Sequence, residues 1–240
     1  MKIKILEKGI TSHWKDELQP KIWDGNKLSP QVREALLLIA KEFYNTLDIT
    51  APLEDLRFTG SVANFNYTPQ SDLDLHLVID FSKVGESSQL IKNYLDAKRV
   101  LWNRKHVILV KGHEVEVYVE NIGEEHISTG IYSILNDEWI VEPSQTNGDH
   151  DPTAGDKKAE MIKKEIESAI HSEDNLDHLQ KIKDKIKKMR SCGLEEGGIF
   201  SPENLAFKKL RNEGDIKRLT LAITKEYDRQ HSLPEVMTTT

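Results

Sequence analysis

The sequence predicts an α+β fold. A short mixed or antiparallel sheet with flanking helices occupies about residues 1–145, and a helical domain follows over about 152–230. Three observations carry that prediction. Runs such as SDLDLHLVID, Ser71 to Asp80, alternate apolar and polar residues as a strand does. Other runs place apolar residues at helical spacing, and the two kinds are interleaved only before Pro143. Between Ser144 and Asp156, SQTNGDHDPTAGD is dense in turn formers and reads as a linker or exposed loop, after which every pattern is helical.

The elements follow in order. MKIKIL alternates like a short strand, and the region from Trp14 to Asn26 reads as a loop with two aromatic anchors. Ser29 and Pro30 stand at the N-cap and first position of a helix whose buried stripe is Val32, Leu36, Ile39, Phe43 and Leu47. DLRFTGS is a strand ending at Gly60, SDLDLHLVID is the next strand, and Glu86 to His106 is helical. HVILVKGHEVEVYVE makes two strand-like runs around Lys111-Gly112, and GIYSILNDEWIVEP a second hairpin around Asn136-Asp137. Four helices are expected beyond the linker. Ile162, Ile166, Ala169 and Ile170 mark the first; Leu176, Leu179, Ile182, Ile186 and Met189 the second, broken from the first near Glu173 to Asn175 and ended near Gly193. Ser201 and Pro202 start the third, Gly214 stops it, and the last spans about Ile216 to Tyr227, before a VMTTT tail expected to be disordered.

Bulk composition narrows the function classes. A net charge of -7 gives no general attraction to nucleic acid, so any polyanion contact needs a local basic patch. Cys192 is the only cysteine, which excludes an internal disulfide and a cysteine zinc cluster and suits a reducing compartment. The lysines in MKIKILEKGI interrupt any signal sequence, and no run approaches the roughly 18 apolar residues of a membrane span. The expected location is cytoplasmic, with no membrane partner.

Chemistry concentrates between Gly60 and Glu116. On a strand, Asp72, Asp74 and His76 point one way while Leu73, Leu75 and Leu77 point the other. Same-face Cα atoms lie about 6.6 Å apart, a spacing from which two carboxylates can converge on metal ions about 3.5 to 4 Å apart. Mg²⁺ suits such hard oxygen donors. An exposed face of solvated acids is the plain alternative. Upstream, Gly60 permits a phosphate to approach the backbone, and with Ser61 it would open a short helix whose free N–H groups favour an anion. A third acid is expected from a neighbouring strand, where HEVEVYVE offers Glu114 and Glu116; Glu116 sits deeper in the run and Glu114 nearer the turn.

Gly60-Ser61, the run Ser71 to Leu75 and Val115-Glu116-Val117 resemble the nucleotidyltransferase superfamily of polymerase beta. The resemblance covers about Leu56 to Val119. It implies a polymerase beta-like core, with Gly60 and Ser61 holding the phosphates of a nucleoside triphosphate. Asp72 and Asp74 would bind two Mg²⁺ ions, and Glu116 would bind one of them and help deprotonate an attacking hydroxyl. The third acid is Glu where the family often has Asp. The implied reaction moves a nucleoside monophosphate, from ATP or another triphosphate, to an acceptor hydroxyl on an RNA end, a protein or a small molecule. A catalytically silent nucleotide- or RNA-binding module on the same fold is the alternative. The remainder, including Trp23 to Phe43 and GGIFSPENLAFKKLRNEG, resembles uncharacterised nucleotidyltransferase-like proteins of tailed bacteriophages.

Other signals weigh less. An EF-hand needs Asp or Asn at the fifth position and Gly at the sixth, where His76 and Leu77 stand. A nucleotide-sugar transferase would use the Asp-x-Asp pair but leave Gly60-Ser61 and Glu116 unexplained. His171 and His178 read as surface residues. KIKDKIKKMR, with Lys208, Lys209 and Arg211, is a candidate patch for RNA or a nucleotide tail, against the plainer reading that its lysines are the solvated side of an amphipathic helix.

Overall fold

The computed structural model describes residues 15–124, 128–145, 152–172 and 175–233; the expected strand MKIKIL, Trp14 and the VMTTT tail lie outside them. The chain separates into two compact units, His13–Thr146 and one that takes in Asn147–Thr240.

The first unit opens with a two-stranded ribbon, β1 (Trp23–Asp24) and β2 (Lys27–Leu28), turned by Gly25 at φ 59°. The sequence reading placed only loop here. Trp23 is indeed an anchor: it stacks on Phe58 and Trp139, and its indole N–H donates to the Val62 carbonyl at 2.7 Å. Helix α1 (Pro30–Asn45) follows, with Val32, Leu36, Ile39, Ala40 and Phe43 buried. Ser29 occupies its N-cap position, yet its hydroxyl makes no capping bond and is buried without a partner.

Next come β3 (Leu53–Thr59), β4 (Leu73–Ile79), α2 (Ser88–Lys105), β5 (Leu109–Val110), β6 (His113–Asn121), β7 (Ile131–Ser133) and β8 (Glu138–Val141). The six-stranded sheet runs β5-β6-β4-β3-β7-β8. Among the described residues only β4 and β6 pair in parallel, so the sheet is mixed, and α2 lies in the crossover that a parallel pair requires. Alternation decides the faces. Leu73, Leu75 and Leu77 are fully buried in one core with α1 residues Leu36 and Phe43 and α2 residues Ile91 and Leu95. Asp74 and His76, at the intervening positions of β4, are only half-buried.

The short helix expected after Gly60 is absent. Residues 62–66 form turns, and two of their carbonyls bond outside the segment: Val62 accepts from the Trp23 indole, and Phe65 accepts from the Lys15 amide at 2.6 Å.

The second unit is α3 (Pro152–Ile170), α4 (Leu176–Gly197), α5 (Pro202–Asn212) and α6 (Asp215–His231) around Ile162, Ile166, Leu179, Ile182, Ile186, Leu210 and Leu219. Ser201 caps α5, its hydroxyl accepting from the Asn204 amide at 3.2 Å, and Gly214 takes the left-handed conformation between α5 and α6. Two sequence readings need correction. Pro152 to Asp156 belongs to the first turns of α3 rather than to a linker, with Gly155 packed against Leu205. Gly193 does not end α4, which continues to Gly197; it marks the close approach of the α5 start, where a Cβ would meet the Glu203 Cβ at 2.4 Å.

Candidate active site

The end of β3 and the start of β4 are cross-strand neighbours, with Thr59 opposite Asp74. The chain leaves β3 at Gly60 with φ 82°, and a Cβ built there would lie 1.9 Å from Asp74 Oδ2. Glycine is therefore required twice over, by the positive φ and by a carboxylate seated against its backbone. Ser61 Oγ donates to Ser71 Oγ at 2.8 Å, and the Thr68 amide donates to the same oxygen at 2.9 Å. The turn after Gly60 is thereby laced to the residue that precedes Asp72.

A second tie comes from β6. His113, buried at its start, bonds through Nδ1 to the Ser71 carbonyl at 2.6 Å and through Nε2 to the Gln19 amide nitrogen at 3.2 Å. A carbonyl only accepts and an amide NH₂ only donates, so Nδ1 carries the proton and Nε2 accepts. Ser71 enters the sequence reading only as the first residue of the run Ser71 to Leu75, and no role is read there for it or for His113.

Parallel pairing sets Asp74 of β4 beside Glu116 of β6, and parallel register partners face the same side of a sheet. Asp72, half-buried, immediately precedes β4. Glu114 lies one same-face step closer to the Lys111-Gly112 turn, opposite Leu109 of β5. The register thus gathers the backbones of Gly60, Asp74 and Glu116. The carboxylates themselves are not yet a cage: among the described residues no group of three or more His, Cys, Asp or Glu side chains stands ready to hold a metal ion. Asp72, Asp74 and Glu116 are the oxygen donors that could.

Behind the acids runs a lateral row, Arg57 of β3, His76 of β4 and Tyr118 of β6. Tyr118 O–H donates to Glu116 Oε2, and its ring stacks on His76 at 4.8 Å between centroids, 18° from parallel. His76 Nδ1 stands 3.3 Å from Glu120 Oε2, whose other oxygen accepts from Arg57. His76 is thus packed into a polar network, not solvated as a strand-end histidine would be. Burial, and then the charges of Asp74 and Glu116, hold the Tyr118 phenol well above the usual tyrosine range. It stays a donor.

The basic run of the second unit is the exposed side of an amphipathic helix, with Lys181, Lys183, Lys187 and Lys188 exposed and some of its neighbours bound to structure. Ile182 and Ile186 are core, Lys185 pairs with Glu165 at 2.7 Å, and Lys209 reaches Asp156 at 3.1 Å and Glu160 at 3.5 Å. Arg190 packs over the Phe207 ring at 4.2 Å, and burial pushes Lys208 down to about 8, with Arg211 and Arg190 acting in the same direction. His171 and His178 are exposed. Among the described residues no helix is long and apolar enough to cross a membrane.

No protein-family model matches the chain, and no curated protein sequence does. Two solved structures are similar to it over most of their length. One is a STING-associated CdnE c-di-GMP synthase from Capnocytophaga granulosa, at 15% identity over 85% of this chain and 83% of that one, with a TM-score of 0.22. The other is spectinomycin adenyltransferase AAD(9) from Enterococcus faecialis, solved with ATP and spectinomycin, at 14% identity over 85% of this chain and 93% of that one, with a TM-score of 0.28. Likeness at that level decides neither fold nor chemistry, which rest on the geometry above.

Proposed function

We propose that this protein is a nucleotidyltransferase that moves a nucleoside monophosphate from a nucleoside triphosphate to an acceptor hydroxyl, releasing pyrophosphate. The observation that carries the reading is the register of Asp74 beside Glu116, with the Gly60 backbone packed on the Asp74 carboxylate.

Asp72, Asp74 and Glu116 are hard oxygen donors, and the space a Cβ would fill at Gly60 keeps the Asp74 carboxylate at the turn. That donor set fits Mg²⁺. When bound, two such ions supply positive charge for the entering and leaving oxygens of the transfer. The side chains have distinct tasks. Asp72 and Asp74 would hold the ions, Gly60 and Ser61 bring backbone donors to the β and γ phosphates, and Glu116 accepts the proton of the attacking hydroxyl. Each factor of ten in rate needs about 1.4 kcal/mol of transition-state stabilisation.

A silent nucleotide- or RNA-binding module is the second reading, favoured by one observation: the acids are not already gathered for a metal among the described residues. One experiment separates the two. The protein is incubated with labelled ATP, CTP, GTP and UTP, Mg²⁺, total RNA and lysate, and both pyrophosphate release and labelled products are followed. Release that disappears in Asp74→Ala supports transfer. Triphosphate binding by calorimetry with no release supports the module.

A further inference from the structure

We propose that Tyr118 is a positioning residue for the acid site, clamped by His76 and Arg99 so that its hydroxyl holds the Glu116 carboxylate in one orientation on the face it shares with Asp74. The inference rests on the metal-dependent reading above and adds to it the part of the protein that orders one of its proposed ligands.

Tyr118 and Glu116 are two apart on β6, so both side chains leave the same face of the strand. Among the described residues the Tyr118 hydroxyl is the one side-chain donor to the Glu116 carboxylate. A glutamate loses rotamer freedom when fixed, and a neutral O–H donating to a carboxylate is the charge-assisted kind of bond able to offset that loss. The donor must itself be fixed. The Tyr118 ring lies against the His76 imidazole, 18° from parallel, and the Arg99 guanidinium carbon stands 5.0 Å from the ring centroid. Both neighbours have partners in turn: His76 Nδ1 lies 3.3 Å from Glu120 Oε2, and Arg99 donates to Asp96 through Nε at 3.2 Å. Glu120 is 5% exposed and bonded by Arg57, so the chain of contacts from Arg57 to Glu116 is anchored in buried structure. Partners of this outer kind change metal affinity by about 10- to 100-fold when removed.

The test is Mn²⁺ titration of the full chain, read by electron paramagnetic resonance without nucleotide, on wild type, Tyr118→Phe, Arg99→Gln and Asp74→Asn. Phenylalanine keeps the ring and removes only the hydroxyl. The expected result is affinity about tenfold or more weaker in Tyr118→Phe, with an unchanged unfolding midpoint, and a smaller loss in Arg99→Gln. Wild-type affinity in Tyr118→Phe, with binding lost in Asp74→Asn, overturns the positioning role and leaves the acid site standing. No binding by wild type, or binding indifferent to Asp74→Asn, removes both. Should Tyr118→Phe fail to fold, Arg99→Gln decides, and unchanged affinity there overturns the proposal.

Discussion

Asp74 and Glu116, 42 residues apart in sequence, are direct neighbours across a parallel strand pair of the sheet. Their side chains leave the same face of the sheet, where like charges disfavour each other, and an amide of the same shape keeps the packing of either one. Asp74→Asn and Glu116→Gln are therefore expected to fold with an unfolding midpoint near wild type, while pyrophosphate release falls on the order of a thousandfold. Melting curves run beside turnover assays check both halves, and near wild-type turnover in either variant refutes the assignment.

Gly60→Ala is expected to damage stability and site together. A non-glycine residue at φ 82° is strained by about 1 to 2 kcal/mol, and its Cβ would displace Asp74 Oδ2, 1.9 Å away. Urea unfolding should show at least that loss. Triphosphate affinity measured on the fraction still folded should fall as well, since the carboxylate and the turn move together. A variant with wild-type stability would show that the Gly60 backbone does not hold the conformation described.

The legible parts of this site were those encoded locally. Alternation in Leu73 to Leu77 announces a strand and its two faces, and a glycine at a strand end announces a turn, because each signal lies within a few residues. The supporting groups were hidden because their roles are set by register. His113 matters through a bond to Ser71, 42 residues away, and Arg57 through Glu120, 63 residues away. Periodicity cannot name such partners before the strand order is known. Gly193 was misread for a related reason: a glycine near the end of an apolar stripe looks like a stop, yet tertiary approach of the α5 start is what demands it.

Alkaline pH should expose Tyr118. Its folded pKa lies above the unfolded value of about 10, first through burial and then through Asp74 and Glu116. A group whose folded pKa is raised contributes stability that is complete below its unfolded pKa and is lost as pH climbs beyond it. Stability should therefore decline above pH about 10, and Tyr118→Phe should flatten part of that decline while Tyr132, raised by burial and its bond to Asp137, Tyr67, raised by burial, and lysines such as Lys92 and Lys163, raised by their carboxylate partners, sustain the rest. Denaturant melts at stepped pH, with tyrosinate absorbance followed in parallel, provide the check; an unchanged slope in Tyr118→Phe would contradict the raised pKa.

Gly193→Ala sets two effects against each other inside α4. Alanine is better than glycine in a helix interior by about 1 kcal/mol, so an isolated helix would be strengthened. Here the new Cβ would lie 2.4 Å from the Glu203 Cβ and 2.7 Å from the Ser201 hydroxyl oxygen, which caps α5. The first contact involves an atom held rigidly to the α5 backbone, and the second a cap whose loss alone is worth about 1 kcal/mol. Overpacking of this kind costs about 1 to 3 kcal/mol, so the packing penalty exceeds the propensity gain and the variant should be less stable than wild type. Equilibrium urea unfolding gives the sign directly. A stabilised Gly193→Ala would mean that α4 and the start of α5 are not in the close contact that the continuation of α4 to Gly197 implies.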